Sequence, residues 1–418
     1  MSRQCGQTTM VKASTQWLRG LVRVGKAQQR SATKLAQSLF GTPAPRPRAK
    51  AKPKPKPTLA LAPKPTLAPS PKPRAAPRAK AAPKPAAAAS RAKPAAAPRA
   101  HVAQPALPGK WLASYYSPTP EAGHMPGKRM MYYLYLPDKA PSATMLRKGM
   151  PLVVMLHGCD QTAPQFAQGT RMNRLAEKKG YAVLYPQQSL SSHAHRCWKW
   201  YDKATQEGGG DVRTIVGIIE QVAQRYGIDR SRVYIAGMSA GAGMADIVAL
   251  THPELIAAVG LHSGPVYGAG HGVIGALKVM QHGASQHVDD AIGDVLARRP
   301  AFPALPAILI QGEADKVVRP VNQAQLTRQS LLLNRMPAQT AVSVEAKPAG
   351  RAGSRNPANA HQIRDFHVGS KLLLRVARIE RLEHAWSGGD PSLTYNDKAG
   401  PDASKMMLDF FAKHRRVR

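Results

Sequence analysis

The stretch from Arg232 to Met244, RVYIAGMSAGAGM, runs four apolar or aromatic residues directly into a serine flanked by small residues. VYIA has the composition of a strand buried on both faces, which need not alternate with polar residues. Gly237 and Gly241 clear space beside a chain that leaves the strand and turns at once into a helix. G-x-S-x-G at such a turn lifts a serine hydroxyl above a sheet and sets it near a helix N-terminus, which makes Ser239 the candidate nucleophile. A neutral hydroxyl attacks poorly without a base in hydrogen-bond reach, and the base in turn needs an orienting carboxylate. Asp315 in GEADKVV and His384 in EHAWSGG supply those types, each just after an apolar run.

The chain order Ser, Asp, His is that of α/β-hydrolases. His384 is expected to take the proton of Ser239 and return it to the departing alcohol, with Asp315 holding the ring and stabilising its charged form. The oxyanion of a tetrahedral intermediate needs backbone donors. The N–H of Ala240, immediately after the nucleophile, is one candidate, and the N–H of Cys159 in the HGCD turn is the other. His157 reads as a support for that turn. His252, His262, His282 and His367 read as surface or loop residues, and Asp289 and Asp365 as poorer candidates for the acid, since neither directly follows a buried strand.

Positioning these groups requires a sheet. MMYYLYLP (Met130 to Pro137), PLVVMLHG (Pro151 to Gly158), YAVLYP (Tyr181 to Pro186), the elbow strand, IAAVGLHSG and PAILIQGEAD (Pro306 to Asp315) read as strands, with a final strand pair ending in LLLRVARIERLEH. DVRTIVGIIEQVAQRYG keeps Val212, Ile215, Val216, Ile219, Val222 and Ala223 at helical spacing; AGAGMADIVALTHP and NQAQLTRQSLLLN add two more helices. Alternating strands and helices predict a mostly parallel sheet with helices on both faces. Reactive groups then sit at the carboxyl ends of strands, so four loops, HGCD, GMSAG, GEADKVV and EHAWSGG, are expected to converge on one sheet edge.

PLVVMLHGCDQTAPQFAQGTRMNRLAEKKGYAVLYPQQ, RCWKWYD, GGGDVRTIVGIIEQV, RVYIAGMSAGAGMA and HAWSGGD together resemble esterases of the polyhydroxybutyrate depolymerase type, relatives of the feruloyl and acetyl-xylan esterases, over roughly residues 128 to 412. The resemblance implies an α/β-hydrolase with nucleophile Ser239, acid Asp315, base His384 and oxyanion donors at the backbone of Cys159 and Ala240. It departs from the family pattern at Glu383, where a glycine is common, and at Lys199, where an uncharged polar residue is common. Glu383 is expected to face outward. Trp198, Trp200 and Trp386 are candidates to line an acyl or polymer groove, with ordinary core packing as the alternative.

Composition divides the chain. The net charge of +36 is weighted to the N-terminus, for no Asp or Glu occurs between Met1 and Pro120. Residues 41–110, rich in Lys, Pro and Ala, predict a disordered, extended tether. Within residues 1–40, Trp17, Leu21, Val24, Ala32, Leu35 and Leu39 mark one face of a basic amphipathic helix, or else a further disordered segment; residues 111–418 form the expected catalytic domain. Residues 9–40 suit an apolar granule or anionic membrane surface. No 18-residue apolar run exists, no secretory signal is readable, and no C-x-x-C or H-E-x-x-H spacing points to a metal. No cofactor is expected. Three cysteines are too few to build a disulfide fold; Cys159 and Cys197 either pair in an oxidising compartment or remain thiols.

Three functions fit. The first is a serine esterase of short-chain 3-hydroxyacyl polyesters or oligomers; the second keeps the mechanism with feruloyl or acetyl-xylan esters. The third is a binding module whose basic tail holds nucleic acid, polyphosphate or anionic lipid by counterion release. The resemblance and a Cys159–Cys197 bridge point to an extracellular location, and the unreadable N-terminus to a cytoplasmic, granule-associated one.

Overall fold

The computed structural model describes residues 107–118, 129–139, 142–284, 288–337, 340–351 and 357–416. The amphipathic segment of residues 9–40 and the Lys/Pro-rich stretch up to residue 106 lie outside the described residues.

The strands are β1 (Lys110–Tyr116), β2 (Met130–Leu136), β3 (Met150–Leu156), β4 (Ala182–Gln187), β5 (Ile228–Met238), β6 (Ala258–His262), β7 (Ala307–Gly312), β8 (Ala341–Lys347), β9 (His361–Val368) and β10 (Lys371–Ile379). They form one sheet in the order β1-β2-β4-β3-β5-β6-β7-β10-β9-β8. From β4 to β10 every neighbouring pair is parallel, whereas β1, β2, β9 and β8 join antiparallel at the flanks. This is the α/β-hydrolase architecture expected from the alternation of apolar runs and helical patterns. The two-residue strands β11 (Trp386–Ser387) and β12 (Asn396–Asp397) pair separately.

Alternation along each central strand feeds two cores. Leu152, Val154 and Leu156 pack on one face with the helices Asp211–Arg225, Ala240–Thr251 and Val321–Leu333; Val153 and Met155 pack on the other with Ala163–Thr170, Met172–Lys179 and Ala403–Phe411. Burial on both faces explains why these strands read as continuous apolar runs. The flank is different. β8 is exposed along all seven residues, and Asp365 on β9 is engaged by Arg375 on β10 through a two-pronged ion pair. Asp289 likewise pairs with Arg328 at the surface, so both alternative acids are committed to arginines.

The core also holds titratable side chains. Burial lowers the imidazoles of His157 and His414 to about 4 and that of His262 to about 3, from an ordinary 6.5. Burial raises the Asp246 carboxyl from 3.8 to about 7. Between pH 6.5 and about 4 the unfolded chain binds more protons at the three histidines than the folded chain does. Their contribution to stability is therefore lost on acidification, by up to about 1.4 kcal/mol per pH unit each. Asp246 acts with the opposite sign, its contribution falling as the pH rises from 3.8 to about 7. Chemical denaturation should accordingly give a stability that climbs from pH 4 to 6.5. Asp246→Asn should steepen the climb and raise stability at pH 7.5; a flat or falling profile in both proteins would contradict these assignments.

Candidate active site

β5 ends at Met238, and Ser239 turns into the helix Ala240–Thr251 with φ 55° and ψ −123°, a left-handed backbone costly for a side chain with a Cβ. The neighbouring glycines make the turn possible. A Cβ on Gly237 would strike the carbonyl of Gly241, and one on Gly241 would strike the carbonyls of Leu156 and His157 at the end of β3. The Ser239 N–H donates to the carbonyl of His262 at the end of β6 (3.0 Å), tying the elbow to the next strand.

β7 delivers the candidate acid. After Gly312 the chain turns so that the N–H groups of Val317 and Val318 donate to Asp315 Oδ1 (both 2.9 Å), and the buried Gln311 amide donates to Oδ2 (3.1 Å). His384 Nδ1 lies 2.8 Å from the same Oδ2. Burial alone would raise the Asp315 carboxyl, but the adjacent His384 ring and the two amides outweigh it and hold it below the usual carboxylate value. The His384 loop is fastened to the acid loop, for the Ala314 N–H donates to the Leu382 carbonyl (3.1 Å). Ser239, Cys159, Ala240 and His384 line one open cleft, with Gly158, Gln161, Trp200, Met238, Pro265, Met280, Val317, Val318 and Tyr395. All four expected loops thus meet at the carboxyl end of the parallel strands. No hydrogen bond joins Ser239 to His384 across it.

On the opposite wall, the Gly158 N–H is occupied by Gln161 Oε1 (2.8 Å) and the Asp160 N–H by the His195 carbonyl (2.7 Å). The amides of Cys159 and Ala240 have no acceptor among the described residues. A disulfide joins Cys159 to Cys197 across 38 residues of sequence. His157 is fully buried, its Nδ1–H donating to the Gly158 carbonyl (2.8 Å) and its Nε2 accepting from the Gln188 N–H (3.1 Å), so the ring braces the turn in one tautomer.

The three tryptophans divide. Trp200 lines the cleft. Trp198 and Trp386 are completely buried, and the groove-lining role expected for them is corrected: the Trp198 indole donates to the His157 carbonyl (2.9 Å) and the Trp386 indole to Ser404 Oγ (3.2 Å). An indole N–H buried away from water needs such a partner, and here each partner belongs to the scaffold under a loop of the site. Glu383 is exposed, as expected, and so is Lys199.

His262, expected at the surface, is a second correction. It is 0% exposed, stacked on Trp386 with ring centroids 5.0 Å apart, and its Nε2 accepts from the Ser387 N–H (3.3 Å). With its carbonyl on the Ser239 N–H, this one residue holds the elbow at one end and the His384 loop at the other. Its place at the end of an apolar run, the signal that singled out the other loops, would have found it. Tyr395, with φ 61° and its ring edge-on to His384 at 6.4 Å, carries no such signal, being set in a loop.

The family model described as "Esterase PHB depolymerase" matches residues 130–355, which include Cys159, Ser239 and Asp315; His384 lies beyond it. Poly(3-hydroxyalkanoate) depolymerase C of Paucimonas lemoignei is 30% identical over 213 residues, 50% of this chain and 49% of that protein. Feruloyl esterase B of Neurospora crassa is 37% identical over 134 residues, 32% of this chain and 43% of its own. Probable acetylxylan esterase A of Aspergillus fumigatus is 35% identical over 144 residues, 34% and 36% of the two chains. The matches thus span about half or less of these curated relatives. Among solved structures, the acetyl xylan esterase from Aspergillus awamori superposes with a TM-score of 0.53 at 20% identity over 68% of this chain and 94% of that one, a likeness of fold alone. With more than half of its length matched by one family model, the chain belongs to the esterase PHB depolymerase family.

Proposed function

We propose that this protein is a serine esterase in which Ser239 is the nucleophile, His384 the general base and acid, and Asp315 the group that orients His384. The observation that carries the reading is the 2.8 Å contact between His384 Nδ1 and a buried, amide-held Asp315 in the cleft that Ser239 lines. With Nδ1–H given to the carboxylate, Nε2 is the basic nitrogen left for the serine proton. Ser239 Oγ adds to the ester carbonyl as its proton passes to His384, and the oxyanion is received by the N–H groups of Cys159 and Ala240. Collapse expels the alcohol, which takes the proton from His384 and leaves an acyl-serine. Water, deprotonated by His384, then releases the acid and restores the serine.

The substrate class we infer is a short-chain 3-hydroxyacyl polyester or its oligomers. The depolymerase among the relatives supports this, as does a cleft walled by Trp200, Met238, Pro265, Met280, Val317 and Val318, which suits an uncharged acyl chain. The feruloyl and acetylxylan esterases among the relatives support the second reading with the same mechanism. The Cys159–Cys197 bridge supports an oxidising, extracellular setting. We further propose that residues 9–40 dock on an apolar granule or anionic membrane, that residues 41–110 tether them and that residues 111–418 carry the chemistry. A tail that instead makes the protein a polyanion binder predicts steeply salt-dependent binding that survives loss of Ser239.

Turnover of a p-nitrophenyl ester should fall by roughly 10⁴-fold or more in Ser239→Ala and about 10⁴-fold in Asp315→Asn. The double variant Ser239→Ala/His384→Ala should be little worse than either single change. Undiminished turnover in Ser239→Ala would remove the nucleophile. A panel of p-nitrophenyl esters, 3-hydroxybutyrate oligomers and feruloyl sugars tests the substrate, and hydrolysis of the feruloyl sugars alone would reverse the ranking. Removing residues 1–110 should leave hydrolysis of a soluble ester unchanged while weakening cosedimentation with polyester granules; equal cosedimentation would eliminate the docking role.

A further inference from the structure

Away from the cleft, a groove of about 490 Å³ lies between the helix Val321–Leu333 and the sheet, lined by Gln323, Ala324, Thr327, Gln362, Arg364, Val376 and Arg378. Strand register puts both arginines on its floor, since Arg364 on β9 faces Val376 on β10 and Gln362 faces Arg378. The same register sends the nearby acids elsewhere: Asp365 points to the opposite face, where Arg375 holds it, and Glu345 on β8 sits across from Ile363 on that face too. No carboxylate lines the groove, and neither Arg364 nor Arg378 has an acidic partner among the described residues.

The hydrogen bonds already made determine what the groove still offers. Gln323 is 2% exposed, and its Nε2 donates to the carbonyls of Leu309 (3.2 Å) and Ala377 (2.9 Å), so its Oε1 is turned to accept from Arg378 Nε (3.3 Å). Gln362 Oε1 accepts from Arg364 Nε in the same way (3.1 Å). A guanidinium can only donate, which fixes each amide with its oxygen toward the arginine. Thr327 spends its hydroxyl proton on the Gln323 carbonyl (2.8 Å). Both side-chain amide oxygens are therefore engaged, and the terminal guanidinium nitrogens of Arg364 and Arg378 and the Gln362 Nε2 remain as donors. Arg378 is half-buried and Arg364 exposed, and a cation partly withdrawn from water is stabilised by an anion beside it.

We propose that this groove is a binding site for a phosphoryl oxyanion, either free inorganic phosphate or a phosphate monoester such as a headgroup fragment. Two guanidinium forks match the charge of a dianion and the several oxygens of a tetrahedral group better than a single carboxylate would. Because each Nε is pinned by a glutamine, the forks are held in place before the ligand arrives, which lowers the ordering cost of binding.

The full chain, ¹⁵N-labelled, should be titrated with inorganic phosphate and separately with glycerol 3-phosphate, at ionic strength balanced with chloride, while the arginine Nε–H resonances are followed. Saturable shifts at the Arg364 and Arg378 signals are expected. A response to inorganic phosphate identifies the free anion as sufficient, and one confined to glycerol 3-phosphate identifies a monoester as the ligand. In Arg364→Gln/Arg378→Gln the apparent Kd should rise by about tenfold or more, equivalent to about 1.4 kcal/mol, with kcat/KM for a soluble ester unchanged. The assignment is overturned if neither compound gives a saturable shift at these signals, if chloride alone reproduces it, or if the double variant binds as tightly as the parent. The wild-type titration decides the matter by itself if the double variant does not fold.

Discussion

A serine can stand free at the end of a buried strand only if the backbone beneath it is forced into a conformation that its own Cβ resists. Ser239 sits at φ 55° because the chain must pass from β5 into the helix Ala240–Thr251 without a connecting loop, and because glycines at 237 and 241 let the backbone of β3 and of the helix itself come within contact distance. The strain is borne by β5 and β6 together, through the Ser239 N–H on the His262 carbonyl. Each remaining part of the site is arranged around the position that this turn dictates.

The supports are as ordered as the residues they carry. His262 links the elbow to the His384 loop through a carbonyl, a ring nitrogen and a stacked Trp386; the Trp386 indole then reaches Ser404, whose hydroxyl donates to the Thr170 carbonyl (2.7 Å). On the other wall His157 and Trp198 hold the turn that presents Cys159. Buried polar groups of this kind stabilise only when each partner is present, so these networks specify one arrangement of the loops. They also explain why two tryptophans that look like groove residues in the sequence are scaffold instead.

Much of this was legible in the chain. The elbow stands out because small residues around a serine after VYIA have few other uses, and Asp315 and His384 stand out as candidates because parallel strands put chemistry at their carboxyl ends. The central strands read clearly because burial on both faces leaves unbroken apolar runs. The flank was harder. β8, AVSVEAK, is exposed on every residue and rests on pairing with β9 alone, and β1, KWLASYY, is a short edge strand whose residues are exposed or half-buried, so neither has the unbroken buried run of the central strands. His262 ends the apolar run of β6, so its burial was open to the same reasoning as the other loops; what the pattern does not show is its stacking on Trp386, 124 positions further along the chain. Tyr395 had no local pattern at all.

Every residue lining the cleft lies in a connection that follows a strand of the parallel block or at the carboxyl end of one; β1, β2, β8 and β9 contribute none. The parallel block is thus the workbench, and the antiparallel strands are its wings. Material along either wing lies outside the cleft itself, so one chain has room for a second binding habit beside its first chemistry.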